Sequence, residues 1–189
     1  MERQVFTIGH STQAAERFIM LLNKHGITAV ADVRSTPYSR MNPQYNREDL
    51  RTALNDAGIS YAFLGKELGA RSDNKACYHD GKVQYGLLAQ TDLFRHGIDR
   101  VREGTQNFRI ALMCAEKEPL ECHRTILVAR ELERAGLEVQ HILGDGRLES
   151  HVEAMNRLVR LLHLPEGDMF SSREPVESVL PSISTTVFS

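Results

Sequence analysis

Short apolar runs alternate with amphipathic stretches along most of this chain, and that alternation restricts the fold more than any other feature. Residues 5–9 read as a strand. Thr12 then caps a helix with the stripe Phe18, Leu21, Leu22 and His25, ended by Gly26. Residues 27–33 form a near-continuous apolar run, as in a strand covered on both faces. Asn46 caps a second helix carrying Leu50, Ala53, Leu54 and Ala57, stopped by Gly58. Further strands are expected at 59–64, 108–113 and 137–143, with helical spacing over 83–103 and 123–135. Residues 65–84 are Gly-rich and polar, a long loop of the kind that is functional or mobile. Ser150 and Glu153 make a capping box for a last helix with Val152, Met155, Val159 and Leu162 as its stripe and Pro165 as its stop.

Strands alternating with helices imply a parallel sheet. The expected fold is α/β: a single three-layer domain over residues 1–165, around a mainly parallel five-stranded sheet. The total of 189 residues fits one domain. Residues 166–189 are rich in Ser, Pro and Glu and read as a flexible tail. Val179, Leu180, Ile183, Val187 and Phe188 make it apolar enough to dock on the body or on a partner.

Composition narrows the function classes. A net charge of −2 excludes a basic field strong enough for bulk nucleic-acid binding, though not a local cationic site. Three cysteines are an odd number in a chain too large to need staples, so the expected setting is a reducing cytoplasm. The first residues do not read as a signal peptide, and no apolar run approaches the roughly 18 residues of a membrane span.

Right-handed crossovers gather the loops that leave parallel strands along one edge, where open α/β sheets bind ligands. The side chains expected there are His10 and Ser11 after the first strand, Asp32 and Arg34 at the second, and Gly65 to Arg71 after the third. Cys114, Glu116, Cys122, His123 and Arg124 follow the fourth. The 114–124 stretch is the most informative: a strand end, a loop and a helix start. Cys122 would sit in the first turn, where free N–H groups favour an anion and lower a thiol pKa. The spacing is not the Cys-x5-Arg of a cysteine phosphatase, and neither GxxxxGK[ST] nor GxGxxG is present. Each residue also has a plain structural reading. Cys114 suits a small core position, Cys122 and His123 suit local capping, and Asp32 suits a salt bridge to Arg34 or Arg124. Cys77 and His79 are metal-competent types, but neither CxxC nor HxxxH occurs, so metal ligands and cofactors are left unassigned.

Four ordered blocks resemble the DUF488 family. They are Thr7-Ile8-Gly9-His10-Ser11, then Asp32-Val33-Arg34-Ser35-x-Pro37-x-Ser39, then Leu64-Gly65-x-x-Leu68-Gly69-x-Arg71. The fourth is Met113-Cys114-Ala115-Glu116-Lys117-x-Pro119-x-x-Cys122-His123-Arg124. The segment His141-Ile142-Leu143-Gly144-Asp145-Gly146 also fits, so the resemblance spans roughly residues 4–165. It implies a single α/β domain and no particular reaction.

The leading functional expectation is an enzyme acting on an anionic small molecule, a nucleotide or other phosphate-bearing compound. Arg34 and Arg124, with Ser11 and Asp32, would bind the substrate. Cys114 or Cys122 would be the thiolate nucleophile, and His10 or His123 the acid or base oriented by Glu116 or Asp32. The alternatives are a metal-binding protein using Cys114, Cys122, His123 or His10, and a non-catalytic nucleic-acid or partner-binding module. The site reading requires His10, Arg34, Cys114 and Arg124 to share one pocket.

Overall fold

The computed structural model describes residues 3–163. The expected tail at 166–189 and the Pro165 stop lie outside the described residues. In chain order the strands and helices are β1 (Gln4–Gly9), α1 (Ala15–Lys24), β2 (Ala29–Asp32), α2 (Arg47–Asp56), β3 (Ser60–Phe63) and the one-turn α3 (Gly65–Leu68). Next come β4 (Tyr78–His79), β5 (Lys82–Val83), α4 (Tyr85–Ala89), α5 (Asp92–Gly104) and β6 (Ile110–Cys114). A π-helix (Arg124–Ala129) continues into α6 (Arg130–Arg134), followed by β7 (Glu138–Ile142), β8 (Leu148–Ser150) and α7 (His151–Leu161).

The main sheet has six strands rather than the expected five, in the order β3-β2-β6-β1-β7-β8. Five are parallel, and β8 adds an antiparallel edge against β7. β8 has only three residues, too few to print a periodic pattern on the sequence. Period-two alternation explains the three layers. Phe6 and Ile8 of β1 and Ala111 and Met113 of β6 join one core with residues of α1 and α2. Val5, Leu112 and Cys114 join the other, with residues of α3 to α7.

Several local expectations change. Asn46 stands at the N-cap of α2 but makes no side-chain cap bond, because its Oδ1 accepts from Ser39 N–H at 2.8 Å. α1 begins at Ala15 with Ala14 as an N-cap that makes no side-chain bond, so Thr12 does not cap it. The backbone runs on past β1 because His10 N–H and Ser11 N–H still bond Cys114 O (2.9 Å) and Ala115 O (2.8 Å). The helical spacing over 83–103 is two helices, because Thr91 caps α5 by accepting from Phe94 N–H. The Ser150–Glu153 capping box forms, but Val152 and Leu162 are exposed, and α7 buries His151, Ala154, Met155, Leu158 and Val159 instead.

The connection from β2 leads through α2 outward to β3, and that from β6 leads through the π-helix and α6 toward β7 on the other side. β2 and β6 are neighbours, and their connections leave in opposite directions on opposite faces. That divergence opens a crevice at the carboxyl ends of the central strands.

Candidate active site

β6 delivers Cys114 to the carboxyl edge, and the turn before the π-helix returns Cys122 and His123 to the same point. His123 donates Nε2–H to Val33 O (3.1 Å). Its Nδ1 is left facing both sulfurs, 3.8 Å from Cys114 Sγ and 3.9 Å from Cys122 Sγ. Cys122 Sγ also lies 3.0 Å from Glu116 Oε2 and accepts from Arg124 N–H at 3.5 Å. All three ligand-type residues are buried, and their donor atoms lie within 4.8 Å of one another.

The electrostatics follow from this crowding. Cys114 donates to the Cys122 sulfur; that bond, burial and the charge on Cys122 push the Cys114 thiol well above its usual value. Burial pushes the Cys122 thiol up, but the Cys114 hydrogen bond, the Arg124 guanidinium and His123 outweigh it and hold it well below the usual range. Burial lowers His123, but the hydrogen bond and charge of Cys122 bring it above its ordinary value. Burial first, and then Cys122, raise the Glu116 carboxyl. A negative charge on this pair is therefore favoured at Cys122, beside His123 and Arg124, over Cys114.

A second group of polar residues backs this cluster. Arg34 pairs with Asp32 through Nε (2.9 Å) and Nη2 (2.7 Å), and its backbone N–H bonds the same carboxylate at 3.1 Å. Tyr61 OH donates to Asp32 at 2.8 Å, and Arg34 Nη2 also reaches Tyr45 O at 2.8 Å. Asp32 is thus fully engaged as the partner of Arg34. His10 donates Nδ1–H to Ser11 O (2.7 Å), which leaves Nε2 to accept from Arg34 Nη1 (3.2 Å). Its ring stacks on Tyr45 at 4.1 Å, and burial lowers its pKa to about 4, so it is a neutral spacer between Arg34 and the β1 turn. Arg124 has no exposed surface and donates to Glu116 O (2.7 Å) and Lys117 O (3.3 Å). Its guanidinium shapes the loop and adds positive charge behind Cys122.

A cleft of about 390 Å³ opens over the cluster. Cys114, Glu116 and His123 are among the residues lining it, together with Arg34, Arg71, Lys82 and Tyr85. Cys122 and Arg124 lie directly behind, His10 and Asp32 reach it only through Arg34, and Ser11 does not line it. The four-residue pocket that the sequence reading requires does not form, so that site does not stand as expected and only a smaller set of residues shares the cleft. Of its four residues only Arg34 and Cys114 line the cleft, because the β6 exit loop covers Arg124, and Tyr45 and Arg34 cover His10. The 65–84 stretch forms the far wall. Its hairpin, β4 paired with β5, brings Lys82 to the opening, and Ser35 Oγ anchors it by accepting from Arg71 N–H at 3.0 Å. Lys82 and Tyr85 were missed in the sequence because each sits in a stretch without a strand-edge pattern. Cys77 is buried in the core and does not line the cleft, and His79 is exposed beside Asp80.

Three of the four blocks quoted from the sequence contribute to these walls, and one comparison bears on them. The family described as "Domain of unknown function DUF488" matches residues 14–130, more than half of the chain. The chain belongs to the DUF488 family. The matched residues contain Asp32, Arg34, Arg71 and the whole 114–124 segment, while His10 and the His141–Gly146 block lie outside them. No curated protein and no solved structure matches this DUF488 chain at a significant level. No helix among the described residues is long and apolar enough to cross a membrane.

Proposed function

We propose that this DUF488 protein is a cytoplasmic enzyme that binds a small anionic molecule, a nucleotide or other phosphate-bearing compound, and acts on it with thiol chemistry. One observation carries the reading: Cys114, Glu116 and His123, with Cys122 directly behind them, form the floor of a cleft also lined by Arg34, Arg71 and Lys82. The cations hold the anion, and fork-shaped guanidinium groups suit phosphate oxygens. Cys114 is the sulfur that meets the substrate, because it lines the cleft and Cys122 does not. Cys122 takes the Cys114 proton as the sulfur attacks, and Glu116 is placed to protonate a leaving group. Arg124, His10 and Asp32 position these groups and do not touch substrate. The cleft volume matches a small ligand, and with the −2 charge it favours this reading over a nucleic-acid module.

Titration calorimetry with inorganic phosphate and a nucleoside monophosphate as probes tests the binding half. Arg71→Glu is expected to weaken the probe that binds by about tenfold or more. Equal affinity in both proteins removes the anion reading. For the chemistry, Cys114→Ala and Cys122→Ala should each stop turnover of any substrate found by screening, with folding intact by circular dichroism. Full activity in both variants removes the thiol role.

A further inference from the structure

The cluster has a second property that thiol chemistry does not use. Two sulfurs and one imidazole nitrogen converge from both sides of one turn. Bonds of about 2.3 Å to sulfur and about 2.0 Å to nitrogen in a tetrahedral zinc site place neighbouring donors about 3.6 Å apart. The two sulfur-to-Nδ1 distances here are 3.8 Å and 3.9 Å, and the whole set lies within 4.8 Å. The imidazole is also fixed in orientation. Nε2–H is spent on Val33 O at 3.1 Å, so Nδ1 is the nitrogen that faces the sulfurs. Glu116 Oε2 lies 3.0 Å from the Cys122 sulfur, beside this three-donor set.

We propose that Cys114 Sγ, Cys122 Sγ and His123 Nδ1 form a binding site for a soft divalent cation of the zinc class. Soft thiolates with imidazole select zinc over magnesium or calcium, which take oxygen donors. Charge balance is compatible, since a divalent ion that displaces both thiol protons leaves a neutral two-thiolate site. Binding uses the sulfur that the proposed enzyme needs as nucleophile, so metal loading and thiol catalysis exclude each other at this site. That last consequence rests on the proposed function; the metal site itself does not.

The test uses the reduced full chain stripped of metal, titrated with cobalt(II) as an optical stand-in for zinc and then with zinc. The expected result is one cobalt per chain with an intense sulfur-to-cobalt charge-transfer band, bleached by stoichiometric zinc. Cys114→Ser and Cys122→Ser should each reduce the band and the affinity at least tenfold, and Cys77→Ser should change neither. Zinc-edge X-ray absorption on the unaltered chain needs no variant, and two sulfur neighbours at about 2.3 Å are expected. Binding without sulfur neighbours, or no binding at all, overturns the site. No substrate enters these measurements, so their failure leaves the proposed function standing. Failure of the alanine variants to lose activity removes the thiol enzyme and leaves the metal site standing.

Discussion

At the scale of single residues, Asp32 has the clearest energetic role. Its carboxylate is fully buried, and it neutralises Arg34, which is itself only 6% exposed. Removing one charge of such a pair leaves the other without compensation. Asp32→Asn is therefore expected to cost about 3–5 kcal/mol, read as a lowered urea midpoint with unchanged slope. Tyr61→Phe removes one hydrogen bond from the same carboxylate and should cost only about 1 kcal/mol. Similar losses in the two variants would mean that the ion pair is not what holds this corner. The need for a partner at Asp32 was legible in the sequence, because a carboxylate ending an apolar strand must be paired. The choice of Arg34 over Arg124 was not, since it depends on which loop folds over which guanidinium.

The elements meet at Gly9, where β1 ends. A Cβ on Gly9 would stand 1.8 Å from Glu116 O, so the β6 exit loop lies directly on the glycine backbone. Gly9→Ala must push that loop away, and the expected cost is about 1–3 kcal/mol or more. The same shift moves Glu116, so the variant should lose activity beyond what its lower stability explains. Wild-type stability together with wild-type activity would show that the loop gives way freely. The strand positions were readable in advance because Phe6, Ile8, Val30 and Leu112 sit in short apolar runs. The π-helix was not. Its six residues are all buried and read from sequence as the start of an ordinary helix, since an added residue per turn leaves no mark in composition. The 65–84 wall was equally hidden, because strands of two residues carry no period.

Across the whole molecule, acid sensitivity is set far from the cleft as well as beside it. Thr7 Oγ1 lies 2.7 Å from His141 Nδ1, and His141 Nε2 lies 3.2 Å from His151 Nδ1, in a buried row from β1 across β7 to the start of α7. Burial, and then the Arg130 charge, lower the His151 pKa to about 4 from the ordinary 6.5. Burial lowers His141 as well. The unfolded chain therefore binds protons before the folded chain does. The stability from keeping His151 neutral is complete above about pH 6.5 and is lost as pH falls toward 4. The shift corresponds to roughly 3 kcal/mol for His151 alone. Unfolding free energies from urea titrations at about pH 7.5 and about pH 5 should differ by about 2 kcal/mol through His151, since pH 5 covers only part of the shift, with a smaller difference in His151→Gln. Equal free energies in the unaltered chain would contradict the buried neutral pair.

The small hairpin of β4 and β5 belongs to no ladder of the main sheet. The cysteine–histidine cluster and the far wall of its cleft thus stand on separate foundations. Exchanging the hairpin for one of another length or charge would change which molecules are admitted and leave the sulfurs, the imidazole and their supports in place. One scaffold of this design can serve many diets by trading a single exterior segment.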